Sequence, residues 1–339
     1  MKRVMVNVNK ENKLDFFLDH LENHMIRFTQ IKGVVGITLN GGLSRGYGDH
    51  LSEVDLTIYL SKESYNDFNS GELNFKEGIC IIDKVLYDVK VVEYNSECER
   101  SMSPFVELWD MNYAKIIYDP KGMIKVLFEE KLSSKVSINQ IGGPLFDAWW
   151  HYRLAGDIWI YREDPVQGHL MLNEAVKNIL KSLYIANCEY VPHDKWLVNM
   201  LPNLKWIPMD QHTMLNKLFS TGDLSLKSLI ERQRSIDEIW NLINSYDIGT
   251  NKPSDSIGLT KRKFYECVLS VLQKDCYSIE EFSKICSLRS INSDPFAEFV
   301  RIEEGHVIVD KKKFMSLDEE SMYTWQLDIV KAVQDTLIE

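Results

Sequence analysis

Two acids separated by one apolar residue, Glu53 and Asp55, stand in the run Ser52-Glu-Val-Asp-Leu-Thr-Ile-Tyr59. On an extended strand alternate side chains share a face, so both carboxylates point one way while Val54 and Leu56 point into a core. Carboxylates about 7 Å apart along a strand both reach one hard cation through oxygen ligands. Asp88, in Leu86-Tyr-Asp-Val-Lys-Val-Val92, lies on a second extended run that can be laid beside the first and supplies a third carboxylate. Glu93, further along that run, competes for the same role. Clustered acids repel unless a cation neutralises them, so a divalent metal is their natural partner.

Upstream of the acids comes Leu39-Asn-Gly-Gly-Leu-Ser-Arg-Gly-Tyr-Gly48. Gly41 and Gly42 let the backbone turn tightly and approach a ligand, so that its N–H groups hold phosphate oxygens. Ser44 adds a hydroxyl and Arg45 a guanidinium for the same oxygens. Metal on one side and donors on the other are what phosphoryl or nucleotidyl transfer requires, because its catalysis is mainly positioning and neutralisation of developing charge. Asp49 reads as a loop residue rather than a ligand.

These residues need a scaffold, and the flanking pattern supplies one. Leu14, Phe17, Leu18, Leu21, Met25 and Ile26 recur at helical spacing, which predicts a helix over Lys13–Thr29. Val34–Leu39 and Val54–Leu60 are short apolar runs typical of buried strands, the first stopped by Asn40-Gly41-Gly42. Gly78–Ile82 and Val85–Tyr94 follow as a hairpin, then a short strand at Lys115–Tyr118 and a helix at Met123–Lys131. Residues 1–137 therefore read as one small α/β domain.

Beyond Gly143 the periodicity becomes helical. Proline punctuation predicts helices near 144–162, 166–187, 193–201, 209–219 and 223–246. Residues 249–256 have the polar composition of a linker. Helices near 261–274, 279–286 and 317–337 and a strand at His306–Val309 complete the chain, giving a helical domain over 138–250 and a mostly helical extension over 251–339 that carries no readable motif.

Lys and Arg number 39 against 50 Asp and Glu, a formal charge of −11. That sign repels phosphate backbones, so no nucleic-acid partner is expected, and a basic path for a template or tRNA is missing. The six cysteines are scattered without zinc spacing and read as reduced thiols. The amino-terminal residues lack the apolar stretch of a signal peptide, and no run is long enough to span a bilayer. A cytoplasmic protein with no membrane partner is the expectation.

The glycine pair, its ten-residue spacer Leu43–Ser52 and the motif Glu53-Val-Asp-Leu56 resemble the nucleotidyltransferase superfamily that includes DNA polymerase β, and within it the small-molecule adenylyltransferases that inactivate antibiotics such as aminoglycosides. The motif-bearing match covers about residues 30–95. Asn40 stands where the family has an apolar residue, and Glu53 where Asp is more common. The resemblance implies a nucleotidyltransferase-fold α/β (α+β) domain with a mixed sheet, followed by a mostly α-helical region that binds the acceptor. It implies Glu53, Asp55 and Asp88 as ligands of Mg²⁺ (or Mn²⁺), with Gly41, Gly42, Ser44 and Arg45 on the phosphates of ATP or another nucleoside triphosphate. Tyr190-Val-Pro-His-Asp-Lys-Trp196 resembles a segment of related adenylyltransferases, which implies Lys195 as a further phosphate contact and His193 as a helix-start residue.

The expected reaction is transfer of a nucleoside monophosphate, AMP from ATP, to a hydroxyl of a small acceptor, and the acidic charge suits a cationic acceptor such as an aminoglycoside. Two alternatives stay open: a protein-adenylylating enzyme of the same fold, and a non-catalytic nucleotide sensor. In the helical part, Trp149, Trp150, Trp159, His151 and Arg153 are read as core or as an acceptor pocket, and Glu174 as a possible general base.

Overall fold

A computed structural model describes residues 10–73, 75–103, 105–133, 135–246 and 257–338. The polar stretch 249–256, read as a linker, lies outside the described residues, as does the amino-terminal segment up to residue 9. The chain divides into two compact units, one gathering the residues up to Ser137 with Leu183–Ile207, the other gathering Ile138–Ser182 with the residues from Pro208 onward.

The first unit opens with α1 (Leu14–His24) and a separate turn, α2 (Ile26–Thr29). The single helix expected over 13–29 is thus broken at Met25, whose N–H bonds back to Glu22 O instead of continuing the ladder. The strands β1 (Val34–Leu39), β2 (Val54–Leu60), β3 (Gly78–Ile82), β4 (Val85–Glu93) and β5 (Lys115–Tyr118) fall on the apolar runs. Between them lie α3 (Gly41–Ser44), α4 (Lys62–Asn69), α5 (Tyr94–Glu99) and α6 (Glu107–Tyr113), and α7 (Met123–Lys131) follows. The sheet order is β3-β4-β2-β1-β5, with β2 and β4 parallel and the other pairs antiparallel, so the sheet is mixed.

Period two decides what each face of this sheet does. Val54, Leu56, Ile58 and Leu60 of β2, with Tyr87, Val89 and Val91 of β4, face Phe17, Leu21 and Phe28 of the first two helices in one dry core. The opposite face carries a smaller core in which Tyr59 meets Met111, Ala114, Ile124, Leu127 and Phe128. That core covers only part of the face. The residues left beyond it, Asp55 and Thr57 on β2 and Asp88 and Lys90 on β4, border open space.

In the second unit, α8 (Gly142–Trp149) runs through a π-helical turn at Trp150–Ala155 into α9 (Gly156–Tyr161), where one regular helix was expected. Then come α10 (Pro165–Ala186), whose last turn belongs to the first unit, α11 (Gln211–Phe219) and α12 (Leu226–Asn244). Ser225 caps α12, and buried Trp240 on that helix donates its indole N–H to Leu145 O at 2.8 Å. The carboxy-terminal part holds α13 (Leu259–Val271), β6 (Cys276–Ser278), α14 (Ile279–Ile285), α15 (Phe296–Phe299), β7 (Val300–Glu303), β8 (His306–Val309), α16 (Lys311–Met315) and α17 (Thr324–Ile338). One strand was expected here, but three form an antiparallel sheet in the order β6-β8-β7 around Tyr277, Val300, Val307 and Val309. Among the described residues no helix is long and apolar enough to cross a membrane.

Candidate functional site

The open space on the second sheet face is a cavity of about 330 Å³, lined within the first unit by the ends of β2 and β4, by α6 and by the segment His193–Trp196. The parallel register sets Asp55 directly beside Asp88 and Thr57 beside Lys90. Neighbouring strands lie about 4.8 Å apart, so the two aspartates share one patch of the cavity floor. Burial, reinforced by the charges of Glu53 and Asp88, pushes the Asp55 carboxyl up from its ordinary 3.8 to about 6, against the opposing pull of Lys195 and Arg45.

The glycine segment is a helical turn rather than an irregular loop. Asn40 precedes it, donating its backbone N–H to Asp55 O at 2.9 Å and its amide to Thr57 Oγ1 at 2.7 Å while accepting from Thr38 Oγ1. Its polarity thus serves a part-buried hydrogen-bond network between β1 and β2. Gly41 has φ +63°, and a Cβ built on it would lie 1.6 Å from Asp55 Oδ2, so only glycine lets the turn close onto this carboxylate. Ser44 is buried and donates its hydroxyl to Gly41 O at 2.9 Å, tightening the same turn.

Arg45 is 2% exposed, an uncommon position for a guanidinium. Its Nη1 donates to Asp110 Oδ1 at 3.0 Å, and its Cζ lies over two indoles, 4.6 Å from the Trp109 centroid and 5.2 Å from that of Trp196. Burial holds its pKa below the ordinary value in spite of Asp110 and Asp55. The segment that brings Trp196 was expected to be a helix over 193–201. It forms short 3₁₀ turns at Asp194–Trp196 and Leu201–Asn203, the first capped by His193 Nδ1 accepting from the Lys195 N–H at 3.2 Å. His193 is therefore a cap, as its place at a helix start implied, and exposed Lys195 sits at the cavity edge.

Of the residues singled out from sequence, Gly41, Arg45, Asp55, Asp88 and Lys195 meet around this cavity, whereas Glu53, Gly42 and Ser44 are not part of its lining. Glu53 precedes β2 and acts on Asp55 through its charge. Glu93 is removed from competition, because it points to the other face and caps α5, accepting from Asn95 N, Ser96 N and Ser96 Oγ. Asp49 accepts from Leu51 N and Tyr47 Oη and closes its own loop. Glu174, on α10 of the second unit, is ion-paired with Lys177. The tryptophans of that unit do not converge: Trp149 lines an apolar pocket with Phe146, Tyr323 and Trp325, Trp150 is 45% exposed beside His151, and Trp159 stacks on Arg162.

Trp109, Asp110 and Trp196 were missed as site residues. The adjacent pair Trp109-Asp110 is the only local signal for them, since its meaning depends on a partner far away in the chain. The same holds for Arg100, which grips Glu97 with two hydrogen bonds of 2.9 Å, also bonds Glu107, and lines the cavity beside Lys90.

Among the described residues no three His, Cys, Asp or Glu side chains stand close enough together to hold a metal ion, so the expected ready-made cluster of three carboxylates is not formed. The donor set still suits Mg²⁺. That ion is commonly held by one or two carboxylates together with substrate phosphates, and Asp55 and Asp88 supply two hard, mutually repelling oxygen donors side by side.

Comparison with known proteins adds little to this geometry. No family model and no curated protein matches the chain. Among solved structures, a nucleotidyltransferase-like protein from Exiguobacterium sibiricum 255-15 aligns over 87% of this chain and 99% of its own, with 8% sequence identity and a TM-score of 0.42.

Proposed function

We propose that this chain is a nucleotidyltransferase that moves a nucleoside monophosphate, AMP from ATP, onto a hydroxyl of a small acceptor, with Mg²⁺ (or Mn²⁺) as cofactor. One observation supports this reading above the others: Asp55 and Asp88 lie in register on the floor of a cavity whose wall carries Arg45 and Lys195, so acids for a cation and cations for phosphates face one space. Asp55 and Asp88, with Glu53 adjoining, would hold the metal, which when bound neutralises the triphosphate and polarises the phosphorus under attack.

The chain's own residues do the rest. Arg45 and Lys195 orient the β- and γ-phosphates, the turn at Gly41 and Gly42 brings backbone close to them, and Ser44 keeps that turn closed. The acceptor oxygen forms a bond to the α-phosphorus as the bond from that phosphorus to the bridging oxygen breaks. Pyrophosphate leaves with the electron pair, and the hydroxyl proton passes to Asp88. The excess of acid over base in the chain favours a cationic small-molecule acceptor over nucleic acid.

The test is pyrophosphate release from ATP, with and without Mg²⁺, across hydroxylated acceptors including aminoglycosides, for the wild type and Asp55→Asn. Metal-dependent release raised by one acceptor and lost in the variant is the expected result. ATP binding with no release under any condition would sink the transferase and leave the nucleotide sensor.

A further inference from the structure

Two large apolar side chains stand in water beside the acid floor of the sheet. On the edge strand β3, Ile79 and Ile81 are each 73% exposed, while Cys80 and Ile82 of the same strand pack on the first core. Strand formation does not require isoleucine at either place, because threonine is β-branched too and leaves less hydrocarbon in water. An edge strand without charge, Gly78-Ile-Cys-Ile-Ile82, is moreover a liability for wrong pairing, so a use that offsets it is expected.

The pairing of β3 with β4 fixes which way these side chains point. Directly opposite residues share a face, and Ile79 stands opposite Asp88 while Ile81 stands opposite Leu86. Asp88, Ile79, Ile81 and Leu86 are therefore the corners of a quadrilateral about 5 Å by about 7 Å on the second sheet face. Three corners are hydrocarbon. The fourth is the carboxylate on the cavity floor, so the apolar strip continues that floor outward to the edge of the sheet.

We propose that Ile79, Ile81 and Leu86 form a platform for the acceptor, which makes the acceptor an amphipathic molecule with a hydrocarbon face next to its reacting hydroxyl. This rests on the nucleotidyltransferase reading, in which Asp88 takes the proton of that hydroxyl. A hydroxyl held over Asp88 places the adjoining part of its molecule across the other three corners. Their side chains hold no donor or acceptor, so they select by apolar area alone. A molecule that is polar on every face would give up water there and gain no hydrogen bond in return.

The probes are alkyl glucosides from methyl to octyl, added below micelle-forming concentrations and without ATP to the whole chain, with its isoleucine methyls labelled for NMR. Ile79→Thr and Ile81→Thr each delete one methyl signal and so assign it, and both variants should fold, since these side chains lie mostly in water. The two assigned methyls are expected to shift, with affinity rising by up to about fourfold for each methylene added. Each threonine variant should weaken octyl glucoside about three- to tenfold. Octyl and methyl glucosides binding alike, or shifts confined to other isoleucines, would overturn the platform. So would a wild type that sediments as a dimer beside monomeric variants, which would give the strip to a second copy of the chain. Pyrophosphate release from ATP with Mg²⁺ separates the two readings. Release raised by polar acceptors, with Ile79 and Ile81 untouched by octyl glucoside, removes the platform and keeps the transferase. Binding at the strip with no release for any acceptor removes the transferase, and the acceptor's platform with it.

Discussion

Each unit of this protein buries one arginine almost completely, and the two are treated in opposite ways. In the second unit, Arg232 on α12 is 3% exposed and held by neutral acceptors: Nε donates to Leu218 O at 2.8 Å, Nη2 to Asn173 Oδ1 at 2.7 Å, and Nη1 meets His169 Nδ1 at 3.2 Å. Three helices are tied together by one side chain. In the first unit, Arg45 has a single carboxylate, two aromatic faces and an unsatisfied Nε. A buried charge whose every nitrogen is bonded is a structural rivet. One that leaves a donor unbonded between aromatic neighbours does less to tie its unit together.

The comparison breaks most severely at the acid opposite Arg45. Asp55→Asn should lower pyrophosphate release by at least about a hundredfold, yet the same change should stabilise the fold. The native carboxyl titrates near 6 and the unfolded one near 3.8, so the native state binds more protons. Stability is then full in acid and lost as pH rises from about 4 to about 6, by up to about 3 kcal/mol. Melting curves should show the variant above the wild type at pH 8 and level with it at pH 4. A variant melting lower at pH 8 contradicts this assignment of Asp55.

The arginines themselves should separate. Arg232→Leu strands Leu218 O and Asn173 and is expected to cost about 3 kcal/mol in a denaturant melt. Arg45→Leu should leave stability within about 1 kcal/mol, because the one partner it strands, the Asp110 carboxylate, is 45% exposed and can be hydrated, while ATP affinity collapses. If both substitutions cost the same stability, the distinction drawn between the two arginines is gone.

Gly41→Ala sharpens the comparison without touching a charge. The added methyl meets the Asp55 carboxylate and the backbone is left-handed there, so stability should drop by about 1–2 kcal/mol and turnover should be lost. Lys195→Ala should have the smallest effect. Its charge pulls the Asp55 carboxyl down, so removing it should move the acidic limb of the activity profile upward by a fraction of a pH unit. No movement of that limb would place Lys195 outside the site's electrostatics.

Five strands and the carboxylate-bearing face were legible in the sequence because period-two burial writes itself directly into residue order, as in Val54–Leu60 and Val85–Glu93. Short helices such as α3, α5 and α6 were not. Four to seven residues carry too little periodicity, and α5 begins where it does because the Glu93 side chain caps it. The break at Met25 and the 3₁₀ turns around Lys195 are local decisions that helical spacing alone does not register. The clamp on Arg45 is further out of reach. It joins residues 45, 109, 110 and 196, and nothing local announces that Leu183–Ile207 belongs with the first 137 residues.

The pairing of β2 with β4 bears on how the chain reaches this state. A slide of β4 by two residues would preserve the alternation of Tyr87, Val89 and Val91 and set Lys90 beside Asp55, exchanging a repulsion for an attraction. Local electrostatics therefore favours a misfolded ladder. Glu93 forbids it, because the same slide would drag its carboxylate from the strand end beside Leu60, where it caps α5, to a place beside Ile58 in the dry core. This acid works as a stop that rejects the slipped pairing before the site exists. In Glu93→Leu the stop is gone, and amide exchange along β4 should report two populations, where a single one would show that something else holds the strands in step.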